Sequence, residues 1–386
     1  MLVIPLNGKV SELAFVAYGS AAADAMAEAG RVARHHIAGM YASSADDATP
    51  LFDSVLAHQF SEEAAGTVRV LLGRLMFPTG LLDNWQVLPF LIGLAGTGKS
   101  VVIAVVAAMF SKATVATING NQEATFGLDG KYASLVMFGR DLPRKMSAVL
   151  QQELLQSMVS GEEVCVPRKG MLALNVRWIV QMMFASNYMP DYCDHGGQIG
   201  RRFAILEFNR KVGSPDPTLL SRILEQELPA LMRRFIVAYL EAVRDHHGEA
   251  FWAWCPEELR ASQREMAAKM SYVKRFLALD EDAEGADTGF GERVFTRPAR
   301  EGAGTALSAL KEAYTRYMSQ HHSRARSEEV VDRVTMGACG FNVREVNVCK
   351  ACHRYDEAAR CCAEYQRTER KKGLVAMGVW LVREPI

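Results

Sequence analysis

The chain has no surplus of charge of either sign: 44 Lys and Arg stand against 44 Asp and Glu. No global field draws it to a polyanion, so any nucleic-acid contact has to be local. It lacks an apolar run near the ~20 residues that cross a bilayer, which sets aside a helical membrane span. The apolar start Met1-Leu-Val-Ile-Pro-Leu6 is cut by Asn7-Gly8-Lys9, which argues against a secretion signal. No internal repeat or low-complexity tract is visible. Cysteine is scarce over most of the chain, with only Cys165, Cys193 and Cys255 before a cluster at Cys339, Cys349, Cys352, Cys361 and Cys362. Without an export signal the expectation is an intracellular, reducing setting, with thiols or metal ligands in place of disulfides.

What is present is an ordinary globular composition, 49% hydrophobic and 23% charged over 386 residues, enough for two or three domains. The stretch that organises it is Phe90-Leu-Ile-Gly93-Leu94-Ala95-Gly96-Thr97-Gly98-Lys99-Ser100. A buried-strand pattern runs into a Gly-x-x-x-x-Gly-Lys-Ser loop, and the apolar helical run Val101 to Phe110 follows. Glycines let the backbone turn and aim several N–H groups at one spot, and the helix that follows adds its positive end. A lysine there reaches the β- and γ-phosphates and a serine hydroxyl reaches Mg²⁺. The expectation is binding of a nucleoside triphosphate, ATP, with Mg²⁺.

Upstream, Thr49 to Phe77 carries apolar residues three or four apart and reads as helix. Downstream, Ala113 to Ile118 reads as a strand, and Tyr132 to Phe138 is a continuous apolar run of the kind that fills a central parallel strand. That run ends at Gly139-Arg140-Asp141. An acid at the carboxyl end of such a strand manages Mg²⁺ and the attacking water; the alternative for Asp141 is an N-cap for a helix beginning at Leu142-Pro143. Ser147 to Val159 reads as an amphipathic helix. Two β-like runs then flank Pro167-Arg168-Lys169-Gly170, which predicts a hairpin with a basic tip suited to a phosphate backbone, or else a plain solvated turn. Ile179 to Asn187 is a further buried strand whose terminal amide could hold a water. Gly200-Arg201-Arg202-Phe203 precedes a last strand, Ala204 to Phe208. An arginine there suits either charge stabilisation at a nucleotide or surface ion pairing.

Taken together, the order of phosphate loop, acid-ended strand, basic hairpin, Asn-ended strand and arginine resembles the superfamily 3 helicases, the viral and plasmid replicative AAA+ ATPases. It is most similar to the helicase part of the primase-helicases of poxviruses and giant viruses. The likeness covers roughly residues 50–280 and includes Leu72-Gly73-Arg74 and Phe251-Trp252-Ala-Trp-Cys-Pro256-Glu257. It implies an α/β P-loop AAA+ core with a central parallel sheet flanked by helices. It implies an ATP-driven homo-hexameric ring moving along single-stranded DNA, with a primase as a further partner and a virus or mobile element as the source. By the same likeness Lys99 and Ser100 serve the phosphates and Mg²⁺, and Asp141 is the second-motif acid where the family usually has Glu. Asn187 is the polar sensor. Lys169, with Arg168 beside it, is the DNA-contacting tip, and Arg202 is the arginine finger lent to the neighbouring subunit, with Arg201 as second choice.

The expected organisation is an N-terminal helical region over residues 1–75, the ATPase domain over 76–280 and a basic, Cys-rich module over 290–386. Asp216 to Ala242 and Ser262 to Leu279 read as helices, and the acidic stretch from Asp280 reads as a linker. Residues 311–386 carry 14 Lys and Arg against 10 Asp and Glu. Leu307 to Met318 looks helical, and Lys371-Lys372-Gly373 looks like a basic turn before a strand, which together suggest a small winged-helix-like α+β module. Cys349-Lys-Ala-Cys352 with Cys361 and Cys362 could hold Zn²⁺, with Cys339 or His353 as a fourth ligand, or could be buried thiols.

Overall fold

The computed structural model describes residues 48–121, 126–192, 198–270, 272–277, 303–321, 330–339, 341–355 and 370–377, with short stretches at 2–3, 14–15, 21–28, 286–287, 292–295 and 379–383. The chain divides into two compact units, with the boundary near residue 264 and residues 193–200 grouped with the second.

The first unit begins with the antiparallel pair β1 (Leu2–Val3) and β2 (Ala14–Phe15) and a short helix α1 (Ala21–Glu28). The helical pattern from Thr49 is two helices, α2 (Pro50–Gln59) and α3 (Glu62–Arg74). The break falls at Phe60-Ser61, where the Ser61 hydroxyl accepts from the Ala64 N–H and caps α3.

The central sheet consists of β3 (Leu88–Gly93), β4 (Val115–Ile118), β5 (Val136–Gly139), β8 (Gln181–Ser186) and β9 (Phe203–Phe208). Its order is β4-β5-β8-β3-β9 and every pairing is parallel. Strands β5 and β8 are buried at every residue, and β3 and β9 nearly so. Strands covered on both faces need such unbroken apolar runs. Helix α4 (Lys99–Ala108) follows β3, and α5 (Gln152–Ser160) leads into a hairpin of β6 (Glu163–Arg168) and β7 (Met171–Arg177). Helix α5 starts later than its amphipathic pattern suggests, because Met146–Ala148 is a separate 3-10 turn.

The long helix expected from Asp216 is also split, into α6 (Leu219–Gln226) and α7 (Leu228–Asp245). Pro229 sits in the first turn of α7, where its missing N–H does no harm. Glu227, between the two, is buried and accepts from the Leu51 and Phe52 N–H groups at 2.7 and 2.9 Å. It thereby caps α2 from 175 residues away. Helix α8 (Phe251–Trp254) carries Phe251 and Trp254 against Trp85, with ring centroids 5.9 and 5.1 Å apart. Residues 52–77 share one apolar core with the sheet and with α7, so the helices before residue 75 are built into the same unit as the phosphate loop. The unit ends within α9 (Glu257–Met270).

One relation inside this core explains two residues of the family-like Leu72-Gly73-Arg74. A Cβ on Gly73 would lie 1.9 Å from the Phe235 carbonyl oxygen, so glycine sets how closely α3 approaches α7. Arg74 is buried and pairs with Asp83 through two hydrogen bonds of 2.8 and 3.0 Å. Its remaining N–H groups reach the Val87 carbonyl and Gln181.

The second unit holds α10 (Tyr272–Phe276) and a three-stranded antiparallel sheet of β10 (Ala286–Asp287), β11 (Glu292–Phe295) and β16 (Trp380–Arg383). It also holds a four-stranded antiparallel sheet ordered β13 (Val343–Cys349), β15 (Arg370–Met377), β12 (Gly304–Ala306), β14 (Arg354–Tyr355). Helices α11 (Leu307–His321) and α12 (Arg333–Ala338) complete it. Lys371-Lys372-Gly373 is not a turn: it is strand, paired to Val348, Asn347 and Val346 of β13.

Candidate nucleotide site and hairpin

The loop between β3 and α4 bends at its glycines, with φ of 146° at Gly93, 78° at Gly96 and 98° at Gly98. Gly93 is further constrained by crowding, since a Cβ would lie 2.2 Å from the Phe208 carbonyl oxygen on β9. The Thr97 hydroxyl donates to the Leu94 carbonyl at 2.8 Å. Gln59, at the end of α2, donates to the Thr97 and Arg210 carbonyls at 3.0 and 2.6 Å and accepts from the Arg210 N–H at 3.0 Å. The Val212 N–H donates to the Gly96 carbonyl. The loop is therefore held between α2 and the segment after β9. Gln59 had no local signature, since its partners lie 38 and 151 residues away.

Leu94, Ala95 and Gly96 form the exposed apex, and Ser100 is exposed in the first turn of α4. Lys99 is only 7% exposed, and its Nζ donates to the Gly93 and Leu94 carbonyls at 2.6 and 2.7 Å. Burial lowers the affinity of this amine for its proton, and the negative field of Asp141 acts in the opposite sense. The arrangement fits a triphosphate with Mg²⁺: a bend at three positive-φ glycines, a cation inside it, a helix start and a hydroxyl beside it.

Asp141 is exposed, with a φ of 48°. It does not cap a helix, because a bend and the 3-10 turn Met146–Ala148 follow it. Its loop is tied to β8 by the Leu142 N–H, which donates to the Ala185 carbonyl at 2.9 Å. The buried Ser186 hydroxyl donates to the Leu142 carbonyl at 2.7 Å and accepts from the Tyr188 N–H at 3.0 Å. A Cβ on Gly139 would meet the Phe184 ring at 2.7 Å and Leu142 at 2.8 Å, so this corner has no room for a larger residue. Asn187, exposed, directly follows β8. Because β8 lies between β3 and β5 and all three run parallel, the phosphate loop, Asn187 and Asp141 come to the same carboxyl edge of the sheet, where open α/β sheets place ligands.

The expected hairpin is present, with Arg168 paired to Met171 across a two-residue turn of Lys169 and Gly170 (φ 70°). Arg168 is tied down, its Nε donating to the Leu172 carbonyl at 3.0 Å. Lys169 is exposed, as are Met171 and Leu172 beside it.

The two arginines before β9 lie side by side in the 3-10 turn Gly200–Arg202. Arg202 is 8% exposed and donates to the Ser160 hydroxyl at 3.1 Å, so it is tied to the end of α5 as β9 enters the core. Arg201 is the exposed one, and its carbonyl accepts from the Trp252 indole N–H at 2.7 Å. In the second unit, Cys349 is buried and Cys352 partly so, while Cys361 and Cys362 lie outside the described residues. Among the described residues, no group of three or more His, Cys, Asp or Glu side chains could hold a metal ion, and no helix is long and apolar enough to cross a membrane.

A family of unknown function (DUF5906) matches residues 91–202, from the end of β3 to the turn before β9. No curated protein matches the chain. Among solved structures the chain is similar to an apo structure of the NrS-1 C-terminal region, at 13% identity and a TM-score of 0.47, over 89% of this chain and 78% of that one. An A-form apo structure of the same region gives 12% identity and a TM-score of 0.45, over 88% and 77%. A JCV helicase gives 11% identity and a TM-score of 0.32, over 57% and 59%.

Proposed function

We propose that the chain is an ATP-hydrolysing motor of the superfamily 3 helicase kind, which couples turnover to movement along single-stranded DNA and to unwinding. The observation that supports this most is the convergence of the phosphate loop, Asn187 and Asp141 on one edge of a parallel sheet, with the Lys99 ammonium held inside the loop.

In this reading the backbone N–H groups of the loop hold the phosphates, and Lys99 leaves its own carbonyls to sit against the β- and γ-oxygens. Ser100 and Asp141 would hold Mg²⁺, which supplies charge neutralisation on the phosphates when bound. Asn187 orients the attacking water and Asp141 draws on its proton. A guanidinium from the next subunit of a ring, assigned to Arg201 because Arg202 is buried, balances charge on the transferred group. Lys169 at the hairpin tip touches DNA, so each turnover shifts a cation along the strand.

A second reading keeps the ATPase and removes the unwinding. A third, a non-catalytic nucleotide-binding ring subunit, is the one favoured by the short acid Asp141 where the family usually has Glu, with the exposed Arg140 beside it. The test is ATP hydrolysis with and without single-stranded DNA, for the wild type and Lys99→Ala, with strand separation on a forked duplex in parallel. Equal silence of the two proteins overturns the enzyme. DNA-stimulated hydrolysis without separation selects the second reading.

A further inference from the structure

Gly139 is the last residue of β5 and pairs with Phe184 of β8. Arg140 and Asp141 separate it from Leu142, which is 2% exposed. Both backbone groups of Leu142 are held by consecutive residues of β8. Its N–H donates to the Ala185 carbonyl at 2.9 Å, and its carbonyl accepts from the Ser186 hydroxyl at 2.7 Å. Asp141 is therefore pinned on both sides, by the strand pairing before it and by these two bonds after it. So short a link has to turn sharply, and Asp141 carries the left-handed φ of 48° within it. A residue other than glycine keeps such a conformation where its surroundings over-determine it.

Ser186 also reaches the other way. It is the last residue of β8 and 1% exposed. Its oxygen accepts from the Tyr188 N–H at 3.0 Å, a turn of the kind that serine hydroxyls make with backbone two residues on. That turn spans Asn187 and sets the direction in which the chain carrying this exposed amide leaves the sheet. A hydroxyl has one proton to give and lone pairs with which to accept. Here the proton goes to the Asp141 loop, and a lone pair receives the N–H of the Asn187 turn. Alanine supplies neither. The two exposed side chains that hydrolysis needs are joined through one buried oxygen beneath them.

We propose that Ser186 is a positioning residue for hydrolysis: its hydroxyl holds Asp141 and Asn187 as one unit, so that the acid and the water-orienting amide keep a fixed relation while the γ-phosphate reacts. The proposal rests on the reading that the chain hydrolyses ATP, and it adds a buried residue that acts only through its neighbours. Ser186 serves the chemical step and not binding, because the phosphate loop is held separately, by Gln59 and by the segment after β9. Displacing reacting groups by about 1 Å costs on the order of a hundredfold in rate.

The test is steady-state ATP hydrolysis by the full chain, with the affinity for a fluorescent ATP analogue and the melting temperature measured on the same preparations. Ser186→Ala should lower kcat about a hundredfold and leave KM, analogue affinity and melting near wild type. Ser186→Cys keeps most of the volume with a much weaker donor and acceptor, so it should lose kcat as well and stands in where the alanine variant folds poorly. Asn187→Ala supplies the readout that separates positioning from support. In that background Ser186→Ala should cost about tenfold or less, because residues sharing one network are not additive. Wild-type kcat in both serine variants overturns the proposal, and so does the full loss recurring in the Asn187→Ala background; with Lys99→Ala still silent, the motor reading survives either result. Analogue affinity and melting temperature falling in step with kcat in both serine variants also overturns it and makes Ser186 a strut of the sheet. Equal silence of the wild type and Lys99→Ala brings down the hydrolysis reading and this one together.

Discussion

Lys99 Nζ donates to the carbonyl oxygens of Gly93 and Leu94 at 2.6 and 2.7 Å, so the loop's own backbone holds the cation that the loop would offer to a phosphate. Those carbonyls lie at a partly exposed apex and can turn to water when the lysine leaves. Lys99→Ala should therefore leave the melting temperature within a few degrees of wild type while lowering ATP turnover about a hundredfold or more, the scale for removing one preorganised charge from a developing anion. Turnover and thermal melting on the same preparations check this. A large loss of stability would mean that the lysine is a structural prop.

The Arg74–Asp83 pair sits in the core, with side chains each 3% exposed. Burial by itself would raise the Asp83 carboxyl. The Arg74 charge and hydrogen bonds, with those from Tyr239 and the Trp85 N–H, outweigh it and hold the group below its ordinary 3.8. A carboxyl depressed on folding contributes stability that is complete above the unfolded value and is lost as pH falls through the folded one. Urea unfolding followed from neutral pH down past 3.8 should show that loss in the wild type. Asp83→Asn should be less stable at neutral pH by about 3–5 kcal/mol, because it leaves a buried guanidinium uncompensated. The same variant should lack this part of the acid slope.

Gly73 is an equally specific case of packing. Its missing Cβ makes room for the Phe235 carbonyl oxygen, 1.9 Å from where that atom would be, and for Tyr239 Cβ at 3.0 Å. Gly73→Ala must push α3 from α7, and overpacking of this kind costs about 1–3 kcal/mol. In an exposed helix the same change would stabilise, so denaturant unfolding gives opposite signs for the two accounts.

What could be read in advance was whatever is local in the chain. The Gly93 to Ser100 spacing, the apolar runs of β5 and β8 and the paired runs around Lys169-Gly170 each carry their own pattern within a dozen residues. What escaped depends on partners far away. Gln59 holds the phosphate loop and Glu227 caps α2, and neither position has a signature without the fold. The break between α6 and α7 lies at Glu227-Leu228-Pro229, where apolar spacing continues unbroken and only the proline hints at it. Lys371-Lys372-Gly373 has the composition of a turn and is strand because β13 pairs with it. Arg201 and Arg202 are the same residue type side by side, and only the turn before β9 decides which is buried.

At the hairpin the two cations should separate by their tethering. Lys169 is exposed at the turn, whereas Arg168 is bound to the Leu172 carbonyl at 3.0 Å. Lys169→Ala should keep basal ATP hydrolysis and lose most of its stimulation by single-stranded DNA. It should also flatten the salt slope of binding by about 0.7, one phosphate contact. Anisotropy and hydrolysis measured on one preparation read both. Unchanged DNA binding would show that the tip is a plain solvated turn.

The burial of Arg202 beside the exposed Arg201 makes a prediction about assembly. If a guanidinium completes the neighbour's active site, it has to leave its own surface, and Arg202 is engaged with Ser160 at 3.1 Å within its protomer. Arg201→Ala should abolish turnover, leave nucleotide binding near wild type and leave thermal stability unchanged. Arg202→Ala should lower the melting temperature, because it removes a buried hydrogen-bonded charge and its packing. Mixing Arg201→Ala with Lys99→Ala subunits should restore part of the hydrolysis, since some junctions then join an intact loop to an intact arginine. Arg202→Ala mixed with Lys99→Ala should show no such rescue beyond what its folded fraction supplies. Rescue by Arg202→Ala and none by Arg201→Ala would return the finger to Arg202 and require that residue to leave the core on assembly.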